Sequence, residues 1–275
     1  MLRCGKFQLG LSAPLVMGIV NVTPDSFSDG GLHLSTDAAI AHAYQLIEDG
    51  ASILDIGGES TRPGAVPLGE QEEMDRVLPV LEGLRDILVP ISIDTYKPQV
   101  MRAALVAGAS MVNDVNALQA EGALDAVAKS DAAVCLMHKK GDPENMQFEP
   151  NYRDVMTEVM TFLQMRVMMV QAIGIARERI VVDPGFGFGK SLPHNLDLLR
   201  GLEAFRALGV PVLAGLSRKS MLGAITGRAV GERMAASVAA SLLAVQRGAS
   251  IVRVHDVRET VDALKVWSAV NGSGA

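Results

Sequence analysis

The sequence predicts a (β/α)8 TIM barrel folded as a single domain over residues 1–275, and two observations carry that expectation. Eight short apolar runs each end on a polar or charged side chain: Asn21, Glu59, Asp94, Asn113, His138, Asp183, Ser217 and His255. Segments of helical periodicity separate the runs. Eight strand–helix units close into a barrel whose active site gathers at the C-terminal ends of the strands. Polar residues scattered along the whole chain then converge on one mouth, which is the pattern of an enzyme.

The strands are expected at 14–22, 52–58, 91–94, 111–115, 133–138, 180–183, 211–217 and 251–255. Their continuous apolar character suits parallel strands covered by helices. Helices are expected at 36–49, 70–88, 97–107, 120–129, 151–174, 195–208, 230–247 and 257–270. A weak repeat supports the alternation, because Gly50-Ala51-Ser52, Gly108-Ala109-Ser110 and Gly248-Ala249-Ser250 each join a helix to the next strand. Glycine suits that junction, where the residue after a helix often turns left-handed. Three strand-to-helix connections are long (22–35, 59–69 and 139–150), and all lie on the expected active-site side.

A hydrophobic content of 49% is ample for a core, and with only 4% aromatics the aliphatic residues and 14 methionines must fill it. The net charge of −6 argues against a nucleic-acid partner, which calls for a basic stripe. An anionic substrate must therefore meet a local basic cluster. Cys135 lies inside an apolar run and reads as a buried, inert thiol, and Cys4 and Cys135 form no disulfide framework or zinc spacing. No apolar run reaches the length of a membrane span and no leader pattern opens the chain, so a cytoplasmic protein without membrane contact is expected.

Side chains alternate along a strand, so the polar face of each run must line the lumen. This turns Met17, Ile19 and Asn21 inward on the first run, Ser92 and Asp94 on the third, and Met111 and Asn113 on the fourth. Cys135 and Met137 follow on the fifth, Val181 and Asp183 on the sixth, and Ile251, Arg253 and His255 on the eighth. Gly215 leaves a gap in which a flat ligand can lie. Buried carboxylates such as Asp94 and Asp183 are costly without partners, so a ligand with N–H donors or a nearby lysine is expected beside them. The segment Asp183 to Ser191 is not a P-loop, since Pro184 stands where the first glycine belongs. It reads as a loop of close backbone approach with Phe188 available to stack. Arg62, Arg218, Lys219, Arg253 and His255 make up the basic cluster. Barrels often bind phosphate at the loops after strands seven and eight.

At these residues the chain resembles the dihydropteroate synthases of the folate pathway. The matching blocks are Asn21 to Gly31, Asp55 to Gly64, Ile93-Asp94-Thr95, Asn113-Asp114, Met137-His138, Asp183 to Lys190, Ser217 to Ser220 and Arg253 to Asp256. The resemblance covers essentially the whole chain from residue 14. One departure is Lys139, where the family more often has an apolar residue.

The resemblance implies a transferase that condenses 4-aminobenzoate with 6-hydroxymethyl-7,8-dihydropterin diphosphate and releases pyrophosphate. It implies that Asp94, Asn113, Met137, Asp183, Phe188, Gly215 and Lys219 hold the pterin, and that Thr61, Arg62, Arg253 and His255 hold the diphosphate. Asn21 is implied to help place a Mg2+ ion, and Phe27, Thr61, Arg62, Pro63 and Ser220 to form the 4-aminobenzoate pocket. The chemistry falls to Asp94, Lys219, Arg253 and His255, with pyrophosphate leaving first and Asp94 favouring the resulting pterin cation. A homodimer and inhibition by sulfonamides are further implications. The chemistry of the pterin edge agrees, because its N3–H and 2-amino group can both donate to one carboxylate, Asp183, in a charge-assisted fork. Two alternatives share the barrel: a pterin-dependent methyltransferase, which has no need of the Arg253/His255 anion site or the second-loop block, and an inactive pterin-binding barrel, which would be free to lose these residues.

Overall fold

The computed structural model describes residues 1–22, 31–59, 67–141 and 150–271, with the side chains of 31–35 left aside. A hairpin of β1 (Leu2–Cys4) and β2 (Phe7–Leu9) opens the chain, and β3 (Leu15–Asn21) leads into α1 (Gly31–Glu48). The alternation continues through β4 (Ile53–Gly57), α2 (Glu70–Gly83), β5 (Ile91–Asp94), α3 (Pro98–Ala107), β6 (Met111–Asp114), α4 (Ala123–Ala128) and β7 (Ala133–Met137). Next come α5 (Val155–Ala172), β8 (Ile180–Asp183), α6 (Leu192–Arg200), β9 (Leu213–Ala214), α7 (Ser220–Thr226), α8 (Met234–Gln246), β10 (Ile251–Val254) and α9 (Val257–Asn271).

The eight strands from β3 to β10 form one sheet in the order β8-β7-β6-β5-β4-β3-β10-β9, and its neighbouring strands pair in parallel. A parallel bridge between Val182 and Val212 joins its two ends, so the sheet closes on itself. The expected barrel is therefore the observed one.

Closure separates two apolar clusters, as side-chain alternation requires. Outward residues such as Val20, Leu54, Ile93, Val134 and Val252 pack under the helices. Inward residues Met17, Ile53, Met111, Ala133, Cys135, Val181, Leu213 and Ile251 fill the lumen, and Leu2 and Cys4 pack against them. The hairpin thus plugs the N-terminal end of the barrel. Its two three-residue strands are too short for a periodicity signal, so the hairpin lies outside the expected elements. Burial pushes both thiols, Cys4 and Cys135, well above the ordinary cysteine range, which keeps them inert.

Several boundaries differ from expectation for local reasons. The 70–88 helix stops at Gly83 and the 195–208 helix breaks at Gly201, where a 3-10 turn over Leu202–Leu208 takes over. Glycine costs about 1 kcal/mol relative to alanine inside a helix, so each break falls at a weak helix former. Helix α6 begins earlier than expected because the Ser191 hydroxyl accepts from the His194 N–H at 3.4 Å with Pro193 in the first turn. Strand β9 covers only Leu213–Ala214 of the 211–217 run, with Val212 adding the closing bridge, since Pro211 lacks an N–H and residues beyond Gly215 turn into the additional short helix α7. The 120–129 helix is confined to Ala123–Ala128. The expected stops hold: Gly50, Gly108 and Gly248 all take positive φ, at 101°, 114° and 98°.

Leu2 is wholly buried against the lumen floor. Leu2→Ala should lower the unfolding free energy by about 2–4 kcal/mol, the usual range for a deleted core leucine. Urea denaturation showing no change would mean that the hairpin does not seal the barrel.

Candidate active site

Because the strands are parallel, their C-terminal ends share one rim. Asp94 pairs in register with Asn113, and Met137 with Asp183, while Asn21 ends β3 opposite Gly57. Arg253 lies on β10, His255 follows it by two residues, and Gly215 follows β9. Asn21, Asp94, Asn113, Met137, Asp183, Gly215, Arg253 and His255 are thus brought to one mouth. Phe27, Thr61, Arg62 and Pro63 lie outside the described residues.

Arg253 sits at the centre of this mouth. Its Nε donates to Asp55 Oδ2 at 2.5 Å and a terminal nitrogen donates to Asp94 Oδ2 at 2.6 Å. The Asn113 amide donates to the same Asp55 oxygen at 3.1 Å. Burial alone would lower the Arg253 guanidinium, but the two carboxylates outweigh it and hold the group above its ordinary value. Burial raises Asp94 to about 7, against the pull of Arg253 and with the help of the Asp55 charge. A ligand or a nearby lysine is the expected partner of Asp94; in the structure Arg253 is that partner. One oxygen of each carboxylate, Asp55 Oδ1 and Asp94 Oδ1, stays buried without a hydrogen bond among the described residues. Buried acceptors of that kind call for donors, which a ligand rich in N–H groups supplies.

Asp183 is also buried. Its Oδ1 accepts from the Gly185 N–H at 2.7 Å, while a Cβ placed on Gly215 would lie 3.9 Å from Oδ2. Burial raises the Asp183 carboxyl, opposed by the Gly185 N–H and the charges of Lys219, Lys190 and Arg253. Lys219 precedes α7 and its Nζ stands 4.1 Å from the centre of the half-buried Phe188 ring, a cation–π distance. The β8 and β9 loops thereby put a flat apolar wall, an ammonium and a carboxylate side by side.

Lys190 builds the β8 loop from beneath. Its buried ammonium donates to the carbonyls of Gly185, Phe188 and His138 at 2.9, 3.0 and 3.2 Å, and lies 3.0 Å from His138 Nδ1. Burial lowers Lys190 to about 7. The loop rests directly on the backbone after β7: a Cβ on Gly185 would come within 1.9 Å of the His138 carbonyl, so only glycine fits. Asn195 completes the scaffold by accepting from the Gly187 N–H at 2.7 Å.

His255 is oriented by Ser217, whose hydroxyl meets His255 Nδ1 at 2.9 Å. Arg218, expected in the basic cluster, instead forks onto Asp256 at 2.5 and 3.2 Å from a left-handed backbone position. Ser220 is exposed in the first turn of α7. Glu59 ties together the two ends of the second loop: it accepts from the Leu68 N–H at 3.3 Å and the Tyr96 hydroxyl at 3.1 Å, and it pairs with Lys97.

Asp55, Lys97 and Lys190 were assigned no role from sequence. The signal for Asp55 was present, since it lies two residues after the inward Ile53 and shares its parity. Lys97 and Lys190 lie on loops, where periodicity says nothing.

A flat, acceptor-rich floor with an ammonium and an aromatic wall, set in a (β/α)8 barrel, defines a binding site for a planar heterocycle rich in N–H donors. The family model described as pterin binding enzyme matches residues 17–255. The dihydropteroate synthase of Neisseria meningitidis serogroup C is 51% identical over 273 residues, covering 98% of this chain and 96% of that protein. The structure of Xanthomonas albilineans dihydropteroate synthase with 4-aminobenzoic acid is 56% identical with a TM-score of 0.91, covering 96% of this chain and 95% of that one. The Yersinia pestis dihydropteroate synthase structure with a sulfonamide drug complex is 48% identical with a TM-score of 0.94, covering 98% and 99%. The chain belongs to the pterin-binding enzyme family and, within it, to the dihydropteroate synthases.

The His138–Lys190 contact has a pH consequence. Burial first, and the Lys190 charge second, lower the His138 imidazole from 6.5 to about 3. As pH falls below 6.5 the unfolded chain takes up a proton that the folded site refuses, so stability falls between pH 6.5 and 3. Urea titrations should show that His138→Gln flattens this dependence. An unchanged slope would mean that His138 is not held neutral.

Proposed function

We propose that the residues at this mouth divide the dihydropteroate synthase reaction into three adjoining subsites. The enzyme is a transferase of folate biosynthesis that condenses 4-aminobenzoate with 6-hydroxymethyl-7,8-dihydropterin diphosphate and releases pyrophosphate. The observation that carries the proposed layout is the convergence of Asp183, Asn113 and Asp94 beside Phe188 and Lys219.

In the pterin subsite, Asp183 accepts from N3–H and the 2-amino group, Asn113 meets the same edge, and Asp94 accepts from the ring N–H groups. Lys219 donates to O4 and N5, while Met137, Phe188 and the open face of Gly215 enclose the ring. The reaction breaks the bond between the pterin methylene carbon and the diphosphate oxygen, and pyrophosphate departs with the electron pair. Asp94, buried beside Arg253, stabilises the cation left on the pterin. The amine of 4-aminobenzoate then forms the new C–N bond and loses a proton.

His255, Arg253, Thr61 and Arg62 are assigned to the diphosphate. The half-exposed Asn21 offers one amide oxygen at the end of β3, which suits Mg2+, an ion usually held by few protein oxygens together with substrate phosphates and water. When bound, Mg2+ neutralises charge on the leaving group. Phe27, Thr61, Arg62 and Pro63, with the exposed Ser220, are assigned to 4-aminobenzoate and to sulfonamides that resemble it.

No described helix is long and apolar enough to cross a membrane, and the cytoplasm is the proposed location. A homodimer is also proposed, supported by Val230, Met234 and Leu243 standing exposed on and beside the alanine-rich α8. Light scattering should return twice the chain mass, and a monomer at micromolar concentration would remove this assignment.

Asp183→Ala should weaken binding of the free pterin by at least about tenfold, since two ligand donors lose a charged acceptor in a buried site. His255→Ala should weaken the pterin diphosphate while sparing the free pterin. Calorimetry showing unchanged pterin affinity for Asp183→Ala, or equal losses of both ligands for His255→Ala, would sink the respective assignment.

A further inference from the structure

Asp55 is wholly buried, and its Oδ2 receives both Arg253 Nε and the Asn113 side-chain amide. An ionised carboxylate can only accept, and two ion pairs anchor the Arg253 guanidinium beside it. One N–H of the Asn113 amide is therefore committed to Asp55, which fixes which way round the amide sits. The amide is planar, so its Oδ1 must face the other way, and no donor among the described residues occupies that oxygen. Asn113 stands one residue before the end of its strand, in register with Asp94 at the rim, which places this oxygen at the ligand-facing floor.

We propose that Asp55 is a specificity-determining residue: by fixing the Asn113 amide it makes the floor of the mouth a row of acceptors, which selects a 2-amino pterin over its 2-oxo counterpart. The inference rests on the reading that the 2-amino edge meets Asn113 and Asp183. The amino group has two hydrogens. One goes to Asp183 together with N3–H, and the other is left for Asn113 Oδ1. A 2-oxo group in the same place would set a lone pair against the lone pair of Asn113 Oδ1, with the amide held by Asp55 from turning over. Sites built on buried polar groups discriminate strongly, because the wrong ligand leaves those groups unpaired. If Asp55 is removed, the Asn113 amide can rotate by half a turn and offer its NH2 to a carbonyl.

The test is calorimetric, with 6-hydroxymethylpterin and 6-hydroxymethyllumazine as the amino and oxo probes. Wild-type protein should favour the pterin, and Asp55→Ala should cut that preference by about tenfold or more, the scale of one buried hydrogen bond lost or gained. Asp55→Asn should retain the preference, since Arg253 keeps the amide oxygen of the new side chain turned toward itself and Asn113. Adding Asp55→Ala to Asn113→Ala should produce no further loss of preference, because the first residue acts through the second. Full preference in Asp55→Ala, or a loss in Asp55→Asn as large as in Asp55→Ala, would overturn the proposal. If Asp55→Ala fails to fold in a thermal scan, Asp55→Asn decides: retained preference supports the proposal and lost preference overturns it. Unchanged preference in Asn113→Ala would instead refute the reading of the pterin edge. Loss there without loss in Asp55→Ala would refute the role of Asp55 alone.

Discussion

Arg253 joins Asp55 and Asp94 inside the barrel, and the upper half of the lumen is arranged around that contact. Two carboxylates and a guanidinium withdrawn from water cost several kcal/mol each unless they meet in good geometry. Here they lie on β4, its neighbour β5, and β10 on the far side of β3, and the curvature of the barrel turns all three toward one lumen. The triad holds the carboxylates ready without spending all their acceptor capacity. Asp55 Oδ1 and Asp94 Oδ1 are buried without a hydrogen-bond partner among the described residues, so the site has an affinity for N–H donors. Such a cluster favours a substrate that brings donors and, as its leaving group departs, positive charge.

The lumen is consequently a barrel in two halves. Below, Met17, Ile53, Met111, Cys135, Val181 and Ile251 make an apolar floor sealed by the β1–β2 hairpin. Above, the same inward parity brings Asp55, Asp94, Asn113, Met137, Asp183 and Arg253 to the mouth. The apolar floor keeps water from reaching the carboxylates from underneath, and low dielectric strengthens whatever they bind. Rigidity comes from backbone-to-backbone packing. The Lys190 ammonium gathers three carbonyls, and Gly185 lies against His138 with no room for a Cβ. The backbone that carries the Phe188 ring is therefore held by a buried cation.

Much of this was legible in the chain. Apolar runs ending on polar residues located the eight strands. Parity along each run assigned Asp94, Asn113, Asp183 and Arg253 to the lumen, and every one of them is found at the mouth. Glycines after helices marked Gly50, Gly108 and Gly248 as stops, because a left-handed residue is needed there whatever the surroundings. These features depend on residues close in sequence, and periodicity reports them directly. Less legible were the hairpin, whose strands are three residues long, and the shortened β9, where Pro211 and Gly215 leave little chain able to pair.

Which polar groups satisfy one another was decided by the tertiary structure alone. Arg253 carried the same chemistry in the sequence whether it faced a diphosphate or a pair of aspartates 198 and 159 residues away. Lys190 looked like one more loop cation, yet it lies beneath the loop on carbonyls that belong to two different connections. Arg218 looked available and is forked onto Asp256. The sequence by itself determined the strand and helix alternation, the inward set and the family, because local pattern and side-chain parity survive without coordinates. The pairing of buried charges awaited the fold, because it depends on which strands closure makes neighbours and on how far each side chain reaches across the lumen.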